Sequence, residues 1–191
     1  MKHKAKKTDN SNMAAKLALR KMLLDELDED LRVIDCCAAT GQLWRQLKKQ
    51  YIIKKYVAFD IKPQMPGSIK MDSRDALRWM DTTPYNVIDI DTYGEPWAHL
   101  MAITSRIEHD TAVFLTHGHV PSTGAVTLSN VSKQLSGIPL EWDIPRNRNL
   151  PPFVASYCLT RCCEHCTILT SKVKYSPNVD YYGLILTKKG C

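Results

Sequence analysis

Short apolar runs alternate with helical stretches along this chain: RVIDCC at 32–37, KYVAFD at 55–60, YNVIDID at 85–91 and TAVFLT at 111–116. Helical patterns fill the intervals at 41–50, 73–80 and 95–108, and residues 68–71 add a weaker strand. Strands apolar almost throughout and separated by helices predict a parallel sheet covered on both faces. Ahead of them the apolar spacing over 12–27 predicts an amphipathic helix, with Asn10, Ser11 or Asn12 as its cap. A helix near 151–165 and strands near 167–174 and 180–187 close the chain. The stretch 117–150, broken by Gly118, Pro121, Gly124, Gly137, Pro139 and Pro145, reads as an irregular insert. At 191 residues there is room for one domain, expected over 12–191 behind a polar tail at 1–11.

The 44% hydrophobic and 24% charged content is that of a soluble globular protein and excludes collagen-like, wholly disordered and membrane-embedded chains. No apolar run has membrane-spanning length, and no apolar stretch follows the Lys-rich start, so the expected location is the cytoplasm. The net charge of +6 is concentrated: residues 1–24 hold seven cations against one anion, and the remainder sums to zero. Such a basic segment suits a polyanion such as nucleic acid, or serves as a solubilising tail. Arg45, Lys48, Lys49, Lys54 and Lys55 form a second cationic cluster, and Arg146 with Arg148 a third. The seven cysteines, an odd number with adjacent pairs, read as reduced thiols and not as a secreted disulfide framework.

In an open α/β sheet, ligands collect outside the carboxyl ends of the strands. Here those ends carry Asp35 with Ala38-Ala39-Thr40-Gly41, then Asp60, Asp72 or Asp75, and Asp91. A row of carboxylates suits a ligand with hydroxyl and amino donors and disfavours a phosphate-rich nucleotide, which takes cations and glycines; no GxxxxGK[ST] sequence is present. The adenosine and the cationic sulfur of S-adenosylmethionine meet that demand.

With these residues in view, the sequence resembles the class I S-adenosylmethionine-dependent methyltransferases over about residues 30–187. Their first motif, a strand ending in an acid and then alternating glycines, reads VIDCCAATG at 33–41, with Asp35 the acid, Gly41 the last glycine, and Cys37 and Ala39 in the other glycine positions. The resemblance implies a Rossmann-like fold, a mostly parallel seven-stranded sheet with helices on both faces and a C-terminal antiparallel strand. It also implies cofactor contacts from Asp35, Cys37, Ala39 and Gly41, a ribose contact from Asp60, and an adenine contact from Asp75 of SRDALRW, in preference to Asp72.

The segment YNVIDIDTYGEP, 85–96, is similar to the Asp-Pro-Tyr/Phe-Gly segment of the tRNA (guanine-N2) dimethyltransferases, and DYYGLILTK at 180–188 to their last strand. Carried across, Asp91 is the catalytic acid and Tyr93 the aromatic that stacks on the base, with Thr92 in place of the proline. The chemistry is consistent. An exocyclic amine has its lone pair delocalised into the ring, and acceptors on its N–H bonds favour a pyramidal nitrogen aimed at the methyl. Asp89, two residues before Asp91, shares its strand face, as a second functional acid or as a paired or capping one. Tyr93 and Trp97 are alternatively packing residues.

Cys158, Cys162 and Cys166 recur every four residues and read as a buried helix stripe in preference to a zinc site, although Cys163 and Cys166 have CxxC spacing. His117 and His119 follow the fifth strand as candidate pocket residues, and no metal is expected. The ends of the fourth and fifth strands, DTYGEP and LTHGHV, hold no thiol, which disfavours cysteine-dependent methylation of a base carbon. The expectation is therefore a methyltransferase acting on an exocyclic amine of a nucleobase, in RNA in preference to DNA, with target recognition from the tail, the 117–150 insert or a protein partner. The rivals are a DNA adenine or cytosine amino-methyltransferase, a small-molecule or protein methyltransferase, and a non-catalytic nucleic-acid-binding or partner module of the same fold.

Overall fold

A computed structural model describes residues 12–92, 94–118, 127–145, 152–175 and 179–190. Its elements run α1 (Met13–Leu24), β1 (Leu31–Asp35), α2 (Gln42–Leu47), β2 (Ile53–Asp60), β3 (Ile69–Lys70), α3 (Ser73–Trp79), β4 (Val87–Ile90), α4 (Trp97–Thr104), β5 (Thr111–Gly118), α5 (Asn130–Ser136), α6 (Pro152–Cys162), β6 (Cys166–Tyr175) and β7 (Val179–Lys188). The strands form one seven-stranded sheet in the order β3-β2-β1-β4-β5-β7-β6. From β3 to β5 all neighbours are parallel. β7 pairs antiparallel with both β5 and β6, so the expected fold class is observed.

Alternation along the strands supplies two cores. Val33, Val87, Ala112 and Phe114 pack with Leu19, Leu23 and Leu24 of α1 and Trp44 and Leu47 of α2. Ile34, Ile88, Ile90, Val113 and Leu115 pack on the opposite face with α3, α4 and α6. All four residues of β4 are buried, which is why its sequence is nearly apolar and why its one acid, Asp89, requires a partner.

The region 117–150 is less irregular than its composition implies. Ser129 caps α5 by accepting from the Ser132 amide, and Gly137, at φ 71°, closes it in the left-handed conformation. Thr127 bridges Pro145, tying the segment's ends together. Residues 119–126 and 146–151, with His119, Arg146 and Arg148, lie outside the described residues, as does the tail 1–11. No helix among the described residues is long and apolar enough to cross a membrane.

Candidate functional site

Parallel registration brings Asp35 beside Asp89 and aligns the carboxyl ends of β1, β2 and β4 along one edge. The loop after β1 closes tightly there. The Cys36 amide donates to the Asp89 carbonyl at 2.9 Å, the Ala38 amide to the Phe59 carbonyl at 3.1 Å and the Gly41 amide to the Ala38 carbonyl at 2.6 Å. Ala39 and Gly41 both take positive φ, 44° and 67°, a conformation natural to glycine and unusual for alanine. Gly41 has a second reason to lack a side chain: a Cβ there would stand 2.1 Å from Met65 Sδ. Asp60 fastens the loop to β2, accepting from the Ala39 amide at 2.8 Å and from the Lys62 amide at 2.7 Å.

α1 crosses this edge and places two cations among three carboxylates. Arg20 holds Asp89 with two nitrogens, at 2.6 Å and 2.8 Å, and Trp44 Nε1 donates to the same carboxylate at 2.8 Å. Lys16 Nζ lies 2.5 Å and 2.8 Å from the Asp91 oxygens, and Thr116 Oγ1 donates to Asp91 at 2.5 Å. Asp35 accepts from the Tyr56 hydroxyl at 2.6 Å. Lys16, Arg20, Asp35, Asp89 and Asp91 are three acids to two cations, and Asp35 and Asp91 answer that inequality differently. Burial, and then the Asp89 charge, push the Asp35 carboxyl up to about 8. Burial also opposes ionisation of Asp91, but the Lys16 and Arg20 charges outweigh it and hold its carboxyl below the ordinary range. Burial opposes the charge of Arg20, yet Asp89 keeps its guanidinium above its usual value.

Asp35, Cys37, Ala39, Gly41 and Asp91 line one pocket together with Lys16, so five of the sequence-predicted residues come together. Asp60 stands beside it, one hydrogen bond from Ala39. Asp75 does not join them. It lies within the first turn of α3, its side chain 58% exposed and paired with Arg78 at 3.2 Å. The carboxylate following β3 is Asp72, which caps α3 through the Arg74 amide and pairs with Arg74, and that contact holds its carboxyl down at about 2. Neither Asp72 nor Asp75 lines the pocket; one helical turn separates them, and the helix begins at Ser73. Tyr93 lies outside the described residues. Thr92 is buried and donates to the Thr116 carbonyl at 3.3 Å. Burial raises the Cys37 thiol to about 12, which keeps it protonated in the pocket.

Lys16, Arg20, Tyr56 and Thr116 escaped the sequence reading of the site. Lys16 and Arg20 are four apart on an amphipathic helix, the spacing of one face, and they belong to the basic segment assigned to a polyanion. Their side chains are 9% and 2% exposed, so part of that charge is used internally. Trp97 is a packing residue, with its ring 5.3 Å from that of His117 and 6.2 Å from that of Tyr182. Cys158, Cys162, Cys163 and Cys166 are buried in the α3–α4–α6 core. Among the described residues no group of three or more His, Cys, Asp or Glu is arranged to hold a metal.

No protein-family model and no curated protein matches the sequence. Solved structures do match in shape. Trm1 from Pyrococcus horikoshii, determined with S-adenosyl-L-methionine, superposes with a TM-score of 0.63 at 14% identity, over 95% of this chain and 56% of that longer one. TYW2 from M. jannaschii, determined with AdoMet, gives 0.56 at 10% identity over 96% and 80%. A SAM-dependent methyltransferase from Archaeoglobus fulgidus gives 0.53 at 12% over 91% and 94%. At such identities the likeness establishes architecture: the chain has the Rossmann-like fold of the S-adenosylmethionine-dependent methyltransferases.

Proposed function

We propose that this protein transfers a methyl group from S-adenosylmethionine to an exocyclic amine of a nucleobase, in RNA and of the guanine N2 type. The observation that carries the reading is Asp91. It is a carboxylate at the end of β4, held ionised by Lys16 and Thr116 in the same pocket as the loop 35–41.

The pocket's chemistry fits the donor. Lys16 and Arg20 balance Asp91 and Asp89, and a cationic ligand that draws the Asp35 proton off gains a third carboxylate, whereas phosphate gains none. Asp60 accepts one backbone amide on each oxygen and retains a lone pair on each for ribose hydroxyls. Asp35, protonated near neutral pH, becomes a full acceptor when a cation stands beside it. When bound, the donor supplies an electrophilic methyl whose bond to sulfur breaks as the bond to nitrogen forms. Asp91 accepts an N–H of the substrate amine and orients the nitrogen. Its lowered pKa makes it a weak base, so it serves as hydrogen-bond acceptor and the amine's proton passes to water after transfer. Positioning supplies the rest of the rate. The basic residues 1–11 and the DIDTYG segment support a nucleic-acid substrate.

Calorimetry with S-adenosylmethionine and labelled-methyl transfer into defined RNA and DNA, followed by nucleoside analysis, test the reading. Asp60→Ala weakens donor binding by roughly 10- to 100-fold, the value of one or two hydrogen bonds to a charged group. Asp91→Ala leaves binding nearly intact and lowers transfer by roughly 100- to 1,000-fold. Equal donor affinity in wild type and Asp60→Ala contradicts the ribose assignment. Label recovered in DNA alone replaces RNA with DNA as the substrate, and absence of donor binding favours a non-catalytic module.

A further inference from the structure

Lys16 reaches Asp91 from α1, an element that contributes no strand-end motif to the reading above. An ionised carboxylate offers about four lone-pair positions. Lys16 takes one on each oxygen and Thr116 takes a second on Oδ1. Among the described residues one position remains, on Oδ2, and one is what a single N–H of an incoming amine requires. The substrate can therefore reach Asp91 without displacing Lys16.

α1 is built to stay. Arg20 locks it to Asp89, also donates to the Lys16 carbonyl at 3.1 Å, and lies 5.0 Å from the Phe114 ring centre. Leu19 and Leu23 press on Gly183 of β7, where a Cβ would stand 2.8 Å from Leu23 Cδ1. The Lys16 ammonium sits 5.6 Å over the Tyr181 ring, so its own position is set from β7 as well as from α1.

We infer that Lys16 is a positioning residue for Asp91, fixing the carboxylate so that its single free lone pair is presented to the substrate amine. The substrate half of this inference rests on the amine-transfer reading; the coupling of Lys16 to Asp91 does not. The charged and titratable groups around Asp91 are Lys16 and Arg20 from α1, Asp35 from β1, Cys37 from the loop after β1 and Asp89 from β4, with the Thr116 hydroxyl from β5. Removing Lys16 leaves Arg20 as the neighbouring cation against two other acids, so the Asp91 carboxyl must titrate higher.

The test is carboxyl 13C NMR titration of Asp91 together with the pH profile of kcat/KM, in wild type, Lys16→Met and Lys16→Arg. In wild type Asp91 gives no acid limb between pH 5 and 8, since its carboxyl lies below the ordinary range. Lys16→Met moves its titration up by about one pH unit or more and carries the acid limb of kcat/KM up by the same interval; Lys16→Arg restores the wild-type profile. An unmoved Asp91 titration in folded Lys16→Met overturns the inference. So does a Lys16→Met variant faster than wild type at neutral pH, because Lys16 would then be a plug. Should Lys16→Met fail to fold, Lys16→Gln, which keeps a donor without the charge, is read the same way. If wild type transfers no methyl, the amine-transfer reading fails while the NMR titration still decides the Lys16–Asp91 coupling.

Discussion

Asp35 and Asp89 are partners across β1 and β4, and only Asp89 has a cation of its own. Asp35 consequently holds its proton to about pH 8, whereas in the unfolded chain it ionises near its ordinary value of about 3.9. A group whose folded pKa is raised contributes stability that is full below its unfolded pKa and lost as pH rises through the folded one. Through Asp35, then, stability falls between about pH 4 and pH 8, and Asp35→Asn flattens that slope in unfolding midpoints measured across the range. The same proton marks ligand binding. A cation beside Asp35 favours its ionised form, so donor binding at pH 7 releases a proton, seen as a buffer-dependent heat in calorimetry and absent in Asp35→Asn. Asp35, Asp60 and Asp91 were legible because strand ends in such sheets collect ligands and each acid closes an apolar run. Asp72 and Asp75 were not separable by that logic: three residues apart, either suits a strand end, and only the observed start of α3 tells the cap from the exposed side chain.

At the scale of elements, α1 is the component whose role the sequence concealed. Its apolar spacing predicts an amphipathic helix and α1 is one, but a periodic pattern does not say which buried acid a lysine or arginine will meet 69 or 75 residues away. Tertiary pairing of that kind is set by sheet order, which no local signal carries. The consequence is measurable. Arg20 and Asp89 form a buried pair with both side chains 2% exposed, and removing one partner of such a pair costs about 3–5 kcal/mol. Arg20→Met therefore lowers the unfolding free energy by about that amount in denaturant titration, with Asp89 left to Trp44 alone. A loss below about 1 kcal/mol, the worth of an exposed pair, contradicts the buried docking of α1. α5 shows the opposite case. Its start and stop, Ser129 and Gly137, are readable capping signals, but the Pro- and Gly-rich surroundings led the whole of 117–150 to be read as irregular.

For the molecule as a whole, the alternation of apolar runs sufficed to specify the parallel sheet and its two covered faces, because the strands of such a sheet are buried on both sides. The antiparallel C-terminal strand came with the family resemblance and is observed as β7, whereas the order β3-β2-β1-β4-β5-β7-β6 is set by pairings that no local signal carries. The basic excess, in contrast, was legible only as a sum. Lys16 and Arg20 turn inward, so the segment's capacity for a polyanion rests on the cations that remain. These levels meet at one edge of the sheet, where Asp60, the proton-holding Asp35 and the oriented Asp91 adjoin the turn that Ala39 and Gly41 make. A crystal structure with S-adenosylmethionine tests that convergence most directly. The account predicts the ribose hydroxyls on Asp60, the cationic end of the donor beside Asp35, and the methyl facing Asp91 with Lys16 still in place. A donor bound elsewhere on the surface, or one that takes up this pocket without contact to Asp60 or Asp91, would contradict it.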